Sequence, residues 1–123
     1  MINRFRNFSS ITALIFAANA ITAAEETSGD LINRAQKEFS KGRRDAATEL
    51  ATKAIETDPK NPLGYFVRAR FYEERGEPAK ALTDYDQTLK LDPSMAEAWQ
   101  NRGIIHFKLA RIEESISVAW PRG

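Results

Sequence analysis

A spacing of 34 residues organises this chain. Asp58-Pro59 returns as Asp92-Pro93, Gly42 as Gly76, and Ala47 as Ala81, each 34 positions on. Ala35, Ala69 and Gly103 form a ladder of small residues at the same step. Leu31, Tyr65 and Trp99 form a ladder of large apolar ones, and Arg34, Arg68 and Arg102 a basic one. Agreement of unlike residue types at one offset marks a stack of similar units. Each unit is too small to bury its apolar face alone and must bury it against a neighbour.

Within each period the pattern is that of two helices, so the expected fold is all-α. In the middle unit, about 62–95, the spacing predicts a first helix over 63–75, with Tyr65, Ala69 and Tyr72 on one face. Gly76 stops it and Glu77-Pro78 starts the next, since proline lacks only an N–H that a first turn leaves unpaired. The second helix, over 78–91, presents Ala81, Leu82, Tyr85 and Leu89. The small residues Ala69 and Ala81 let the two antiparallel helices approach closely. The first unit, about 28–61, repeats this: Ser28 or Asp30 as a cap, Leu31 and Ala35, Gly42 as the stop, then Ala47, Leu50, Ala51, Ala54 and Ile55. The third, incomplete over about 96–120, begins with Trp99, Gly103, Ile104 and Phe107. A short second helix is expected to carry Ile112, Ile116 and Ala119.

The start of the chain reads differently. No acidic residue precedes Glu25, Arg4 and Arg6 lie near the tip, and an apolar run extends from Ile11 to Ala24. This is the composition of a signal peptide over residues 1–24, with cleavage after Ala20, Ala23 or Ala24. Ala24 is favoured because Glu25 and Glu26 then open the mature domain, residues 25–123. A membrane span needs about 20 apolar residues, and this run is shorter. The expected location is periplasmic or secreted, with only transient membrane contact. The alternatives are membrane association through an uncleaved N-terminal segment, and an organellar presequence, since the segment contains Arg and Ser without acids.

Composition removes several function classes. With 18 basic against 17 acidic residues there is no positive surplus to hold a nucleic acid backbone. Absence of cysteine excludes disulfides, thiolate nucleophiles and cysteine metal sites. His106 is the single histidine, so histidines cannot cluster around a metal. The glycines are isolated breakers and not a phosphate-binding loop. Asp84 and Asp86 are two apart on a helix and do not share a face. Glu73-Glu74, Glu113-Glu114 and Arg43-Arg44 read as solvated surface. Neither an enzyme nor a cofactor is expected.

These residues resemble the tetratricopeptide repeat family, and the leader-like start resembles its bacterial exported members. The match rests on Tyr65 and Trp99 early in first helices, Ala69 and Gly103 four positions on, Tyr72, and Gly42 and Gly76 at the turns. Ala47, Ala54, Ala81 and Tyr85 in second helices and the two Asp-Pro pairs complete it. Departures are Arg34, Arg68 and Arg102 where the family has leucine, Leu31 for an aromatic, and Thr88 for an alanine. In the third unit Ala110 replaces the turn glycine and Ser115 the next alanine.

The resemblance implies antiparallel helix pairs stacked as a right-handed superhelical solenoid. It implies a non-catalytic protein–protein interaction scaffold whose first helices line a concave groove for a peptide or helix. Carried onto this chain, the groove candidates are Asn33, Gln36 and Phe39, then Phe66, Val67, Arg70 and Glu73, then Gln100, Asn101, Ile104 and Phe107. Amides there can pair with a peptide backbone, and Arg70 can hold a carboxylate. Some family members grip a terminal carboxylate with lysines, arginines and asparagines; this chain has no lysine on the inner face before Lys108. The alternative function is self-association, as a homodimer, or docking on a larger assembly. It would use the uncapped third unit through Ile112, Ile116 and Trp120.

Overall fold

Thr27 opens the helical part of the molecule. Its hydroxyl accepts from the Asp30 amide at 3.1 Å while the Asp30 carboxylate accepts from the Thr27 amide at 3.1 Å. This reciprocal pair satisfies two donors that a helix start leaves orphaned. The cap is thus neither of the two expected residues: Asp30 is the reciprocal partner inside the helix, and Ser28 lies buried and accepts a hydrogen bond from Asn61 at 3.2 Å. The computed structural model describes residues 25–119. The signal-peptide assignment to residues 1–24, and Trp120, lie outside the described residues.

Five helices follow in order: α1 Ser28–Ser40, α2 Arg44–Thr57, α3 Pro62–Glu74, α4 Pro78–Leu91 and α5 Ala96–Ala119. The α1–α2 and α3–α4 pairs are antiparallel hairpins, and α3 packs on α2 as α5 packs on α4. The result is an all-α solenoid of paired antiparallel helices. Both turns use the glycines that the period singled out, with φ of +81° at Gly42 and +73° at Gly76. Only glycine enters that region without a Cβ penalty. Between units, the Asp58 and Asp92 carboxylates accept from the amides two residues on, at Lys60 and Ser94. Each Asp-Pro pair therefore closes its unit with a local turn.

One core runs through the stack. Leu31, Ile32, Ala35, Ala47, Ala51 and Ala54 continue into Phe66, Val67, Ala69, Phe71, Ala81, Tyr85 and Leu89, then Ala98 and Ile105. Ala69 and Ala81 have no exposed surface. They are the close-approach positions that the sequence indicated. Tyr65, expected in the core, is only half buried, while its neighbour Phe66 tilts against Tyr85 with ring centroids 5.9 Å apart.

The third unit departs from expectation. No turn interrupts it near Ala110, and α5 runs unbroken through the segment that was expected to form a separate short helix. At 1.5 Å per residue its 24 residues span about 36 Å. The face set on α4 carries Ala98, Asn101, Ile105 and Leu109, not Trp99 or Ile104. Ala110 explains the missing turn: an L-residue in the left-handed conformation of Gly42 and Gly76 costs about 1–2 kcal/mol, and helix continuation avoids it.

Candidate peptide-binding groove

The first helices α1, α3 and α5 border two cavities. One, of about 330 Å³, lies between α1 and α3 and is lined by Gln36, Phe39, Ser40, Val67, Arg70, Phe71 and Glu74. Its apolar wall is a stack of Phe39 on Phe71, ring centroids 4.4 Å apart and planes within 14°. Offset stacking of this kind adds about 0.5–1.5 kcal/mol beyond area burial, so the wall is held in shape before any ligand arrives. Arg70 and Gln36 are exposed at the rim. The second cavity, about 350 Å³, lies between the α3–α4 turn and α5, with Glu73, Glu74, Ile105, Lys108, Leu109 and Ile112 among its lining residues. Glu74 borders both.

The groove candidates divide by environment. Gln36, Phe39, Val67 and Arg70 line the first cavity, and Glu73 the second. Val67 is buried in the core and also borders the first cavity, whereas Phe66 is a core residue packed on Tyr85 that borders neither cavity, so Phe66 belongs to the core and not to the groove. The reason is phase: adjacent helical residues differ by about 100°, and Phe66 takes the inward position. Asn33 and Gln100 are exposed, and neither lines a cavity described above. Ile104 is exposed, and Phe107 is 66% exposed with the Arg111 guanidinium 6.0 Å from its ring centroid.

A polar network stiffens the floor behind these residues. The buried Tyr85 hydroxyl donates to Glu73 at 2.8 Å and accepts from Asn101 at 3.3 Å, so one phenol of α4 joins α3 to α5. Burial, then the hydrogen bond to the Glu73 carboxylate, raises the Tyr85 pKa far above its ordinary value. The phenol stays a neutral donor across the physiological range. Asn101 is thereby a floor residue tied to Tyr85 more than a free amide.

The sequence reading missed Asp84. Two helix residues apart means opposite directions, and the structure uses both. Asp84 faces α3 and takes two hydrogen bonds from Arg68, at 2.7 and 2.8 Å, while Asp86 faces α5 and pairs with Arg102 at 2.7 Å. Arg68 also donates to Thr52 of α2 at 3.2 Å. Arg68 and Arg102 of the arginine ladder, which looked like departures, are clips between helices, whereas Arg34 pairs with Glu26 ahead of α1. Its signal was available: Asp84 lies 16 residues after Arg68, and Asp86 16 before Arg102.

Among the described residues no group of His, Asp and Glu side chains can hold a metal ion. No described helix is long and apolar enough to cross a membrane.

Comparison with known proteins adds the lineage. Models of the tetratricopeptide repeat match residues 50–83 and 72–119. The chain is 29% identical over 98 residues to the tetratricopeptide repeat and J domain-containing co-chaperone DNJ1 of Cryptococcus neoformans, covering 80% of this chain and 18% of that protein. It is 34% identical over 76 residues to the heat-shock protein cognate co-chaperone sgt12 of Aspergillus fumigatus, covering 62% of this chain and 21% of that protein. The chain thus spans about a fifth of the length of these curated relatives. Among solved structures, the first TPR of Spaghetti (RPAP3) bound to the HSP90 peptide SRMEEVD superposes with a TM-score of 0.66 at 31% identity, covering 72% of each chain.

These findings correct one expectation. The relatives come from fungi, human, rat, rice and a nematode, and several are co-chaperones by name. That overturns the assignment to bacterial exported proteins and the periplasmic, secreted or membrane-associated location drawn from it. The composition of residues 1–24 had been its only basis. The work of this fold is holding another protein or peptide, without catalysis. With its repeat period, hairpin pairs, turn glycines and matching relatives, the chain belongs to the tetratricopeptide repeat family.

Proposed function

We propose that the concave side binds a short peptide by an apolar side chain with a carboxylate beside it. The observation that carries this is the cavity between α1 and α3, where the stacked Phe39 and Phe71 wall stands next to the exposed guanidinium of Arg70. The apolar side chain enters against Phe39 and Val67, and Arg70 pairs with the carboxylate. Gln36 and Ser40 bond the peptide backbone at the rim. A methionine followed by glutamates has this chemistry, and the HSP90 peptide held by the Spaghetti domain contains it. The likeness to that domain supports the reading.

The test is a titration of the whole chain with fluorescent SRMEEVD. Binding should weaken about tenfold in Arg70→Ala, the loss of one charge-assisted pair, and by a similar factor in Phe39→Ala. It should also fall with salt. A version of the peptide with alanine for methionine should bind more weakly. Equal affinity for both versions, or no binding, sinks the proposal.

A second reading has its own support. Ile112, at the edge of the second cavity, and Ile116 are 55% and 57% exposed on α5. Both lie on the helix side that carries Ile105 and Leu109, a stripe that a second copy can cover. Light scattering over a concentration series decides this. A dimer that Ile116→Asp separates supports it, and a monomer at every concentration removes it.

A further inference from the structure

Among the described residues no other helix lies over the side of α5 that carries Trp99 and Gly103, where the Trp99 indole donates to the Pro93 carbonyl at 2.9 Å. Trp99 is 51% exposed, and a Cβ placed on Gly103 meets no atom within 4 Å. The 34-residue period identifies the matching surface on α3 as Tyr65 and Ala69. There α4 lies over the helix, and Ala69 has no exposed surface. The molecule therefore shows, one unit earlier, what kind of element covers this surface.

It also shows which groups that element brings. On α3, Arg68 reaches two ways: back to Thr52 on the preceding unit, and onward to Asp84 on the helix that covers it. On α5, Arg102 keeps the first contact, because Asp86 stands 34 residues after Thr52 and pairs with it at 2.7 Å. The second contact has no counterpart in the sequence. The residue 34 positions after Asp84 is Val118, and the one 34 after the turn glycine Gly76 is Ala110, inside continuous helix.

We propose that this face of α5 accepts, from a partner protein, an amphipathic helix with the chemistry of α4. The partner helix carries a small residue to lie on Gly103 and an acidic residue three positions later to meet Arg102, as Ala81 and Asp84 do for α3. Trp99 and Phe107 flank the seam and supply the apolar contact. Gly103 sets the close approach, since axes 8–10 Å apart leave no room for bulk at the contact. This surface lies on a different side of α5 from Ile105 and Leu109, which face α4, and is independent of the α1–α3 cavity.

The probe is a capped synthetic peptide with the sequence of α4, Pro78–Leu91, added to the whole chain in a Trp120→Phe background. Trp99 is then the single tryptophan, since the chain has two. Its emission should shift to the blue as the peptide covers it, and the peptide's circular dichroism should gain helix. A peptide with asparagine in place of Asp84 should bind about tenfold more weakly, the usual effect of losing a charged hydrogen-bond partner. Gly103→Leu, whose folding is checked by circular dichroism, should abolish the shift. Trp99 emission that stays fixed at millimolar peptide overturns the proposal. So does binding that Gly103→Leu leaves unchanged, which places the peptide elsewhere. A dimer that Gly103→Leu dissociates also overturns it, because a second copy is then the occupant.

Discussion

Ala69 on α3 and Gly103 on α5 occupy the same place in successive units and meet opposite surroundings. Ala69 is sealed in the α3–α4 hairpin, and among the described residues no atom lies within 4 Å of a Cβ built on Gly103. Their arginine neighbours differ in the same way. Arg68 makes a two-bond fork with Asp84, which is buried, whereas Arg102 pairs with the half-exposed Asp86. Both helices come from one repeat pattern. What separates them is whether a hairpin partner lies on top. In a repeat protein a residue's energetic weight follows its neighbours more than its place in the motif.

The sharpest way to break this comparison is to remove the two aspartates of α4. Asp84→Ala leaves the Arg68 guanidinium partly buried without its carboxylate and should cost about 3 kcal/mol. Asp86→Ala removes an exposed partner and should cost under about 1 kcal/mol. Urea denaturation of both variants measures the contrast. Equal losses would mean that α5 is clamped as firmly as α3.

Next come the small residues. Ala69→Leu drives bulk between α3 and α4 and should cost about 1–3 kcal/mol by overpacking. Gly103→Leu places its side chain in open space and removes a mid-helix glycine, so thermal stability should rise by about 0.5–1 kcal/mol. The same substitution type then has opposite signs at equivalent positions. A loss at Gly103 would show that something covers it in solution.

Much of this was legible beforehand, for physical reasons. Turn glycines, Asp-Pro closures and the alanines at close approach are short-range requirements, and each leaves its mark at a fixed spacing. The hairpins follow from them. Tyr65 and Phe66 were harder: both are aromatic and adjacent, and only the packed neighbours decide that Phe66 turns inward. Asp84 was passed over because its partner lies on another helix, and a carboxylate looks the same in sequence whether paired or solvated. At the groove, the residue types on the first helices were readable, but the Phe39–Phe71 stack joins residues from different units. The straightness of α5 turned on one residue, Ala110, which is ordinary in composition and decisive at a turn.

The turns themselves give a smaller contrast. Gly76→Ala forces an L-residue into the left-handed region and should cost about 1–2 kcal/mol, spread over a hairpin that α5 also leans on. Ala110→Gly should weaken α5 by up to about 1 kcal/mol and permit a bend there. Hydrogen exchange along α5 would register it as faster exchange after residue 110 with α3 unchanged.

The smallest effect concerns Tyr85, which touches both sides of the comparison. Its phenol pKa is raised, first by burial and then by the bond to Glu73, while the Asn101 bond acts in the lowering direction. A raised pKa means that the folded state prefers the protonated phenol. The resulting stability is complete below the unfolded value of about 10 and is lost as pH rises past it toward the folded value. Tyr85→Phe should cost about 1 kcal/mol near neutrality and should flatten the alkaline decline. The two partners then sort by sign in the phenolate absorbance. Glu73→Gln removes a nearby negative charge and should lower the Tyr85 pKa. Asn101→Ala removes a donor to the phenolate and should raise it. A Tyr85 titration indifferent to Asn101→Ala would mean that α5 does not hold its contact with α4 at this point, and that the open side of the third unit extends to its packed side as well.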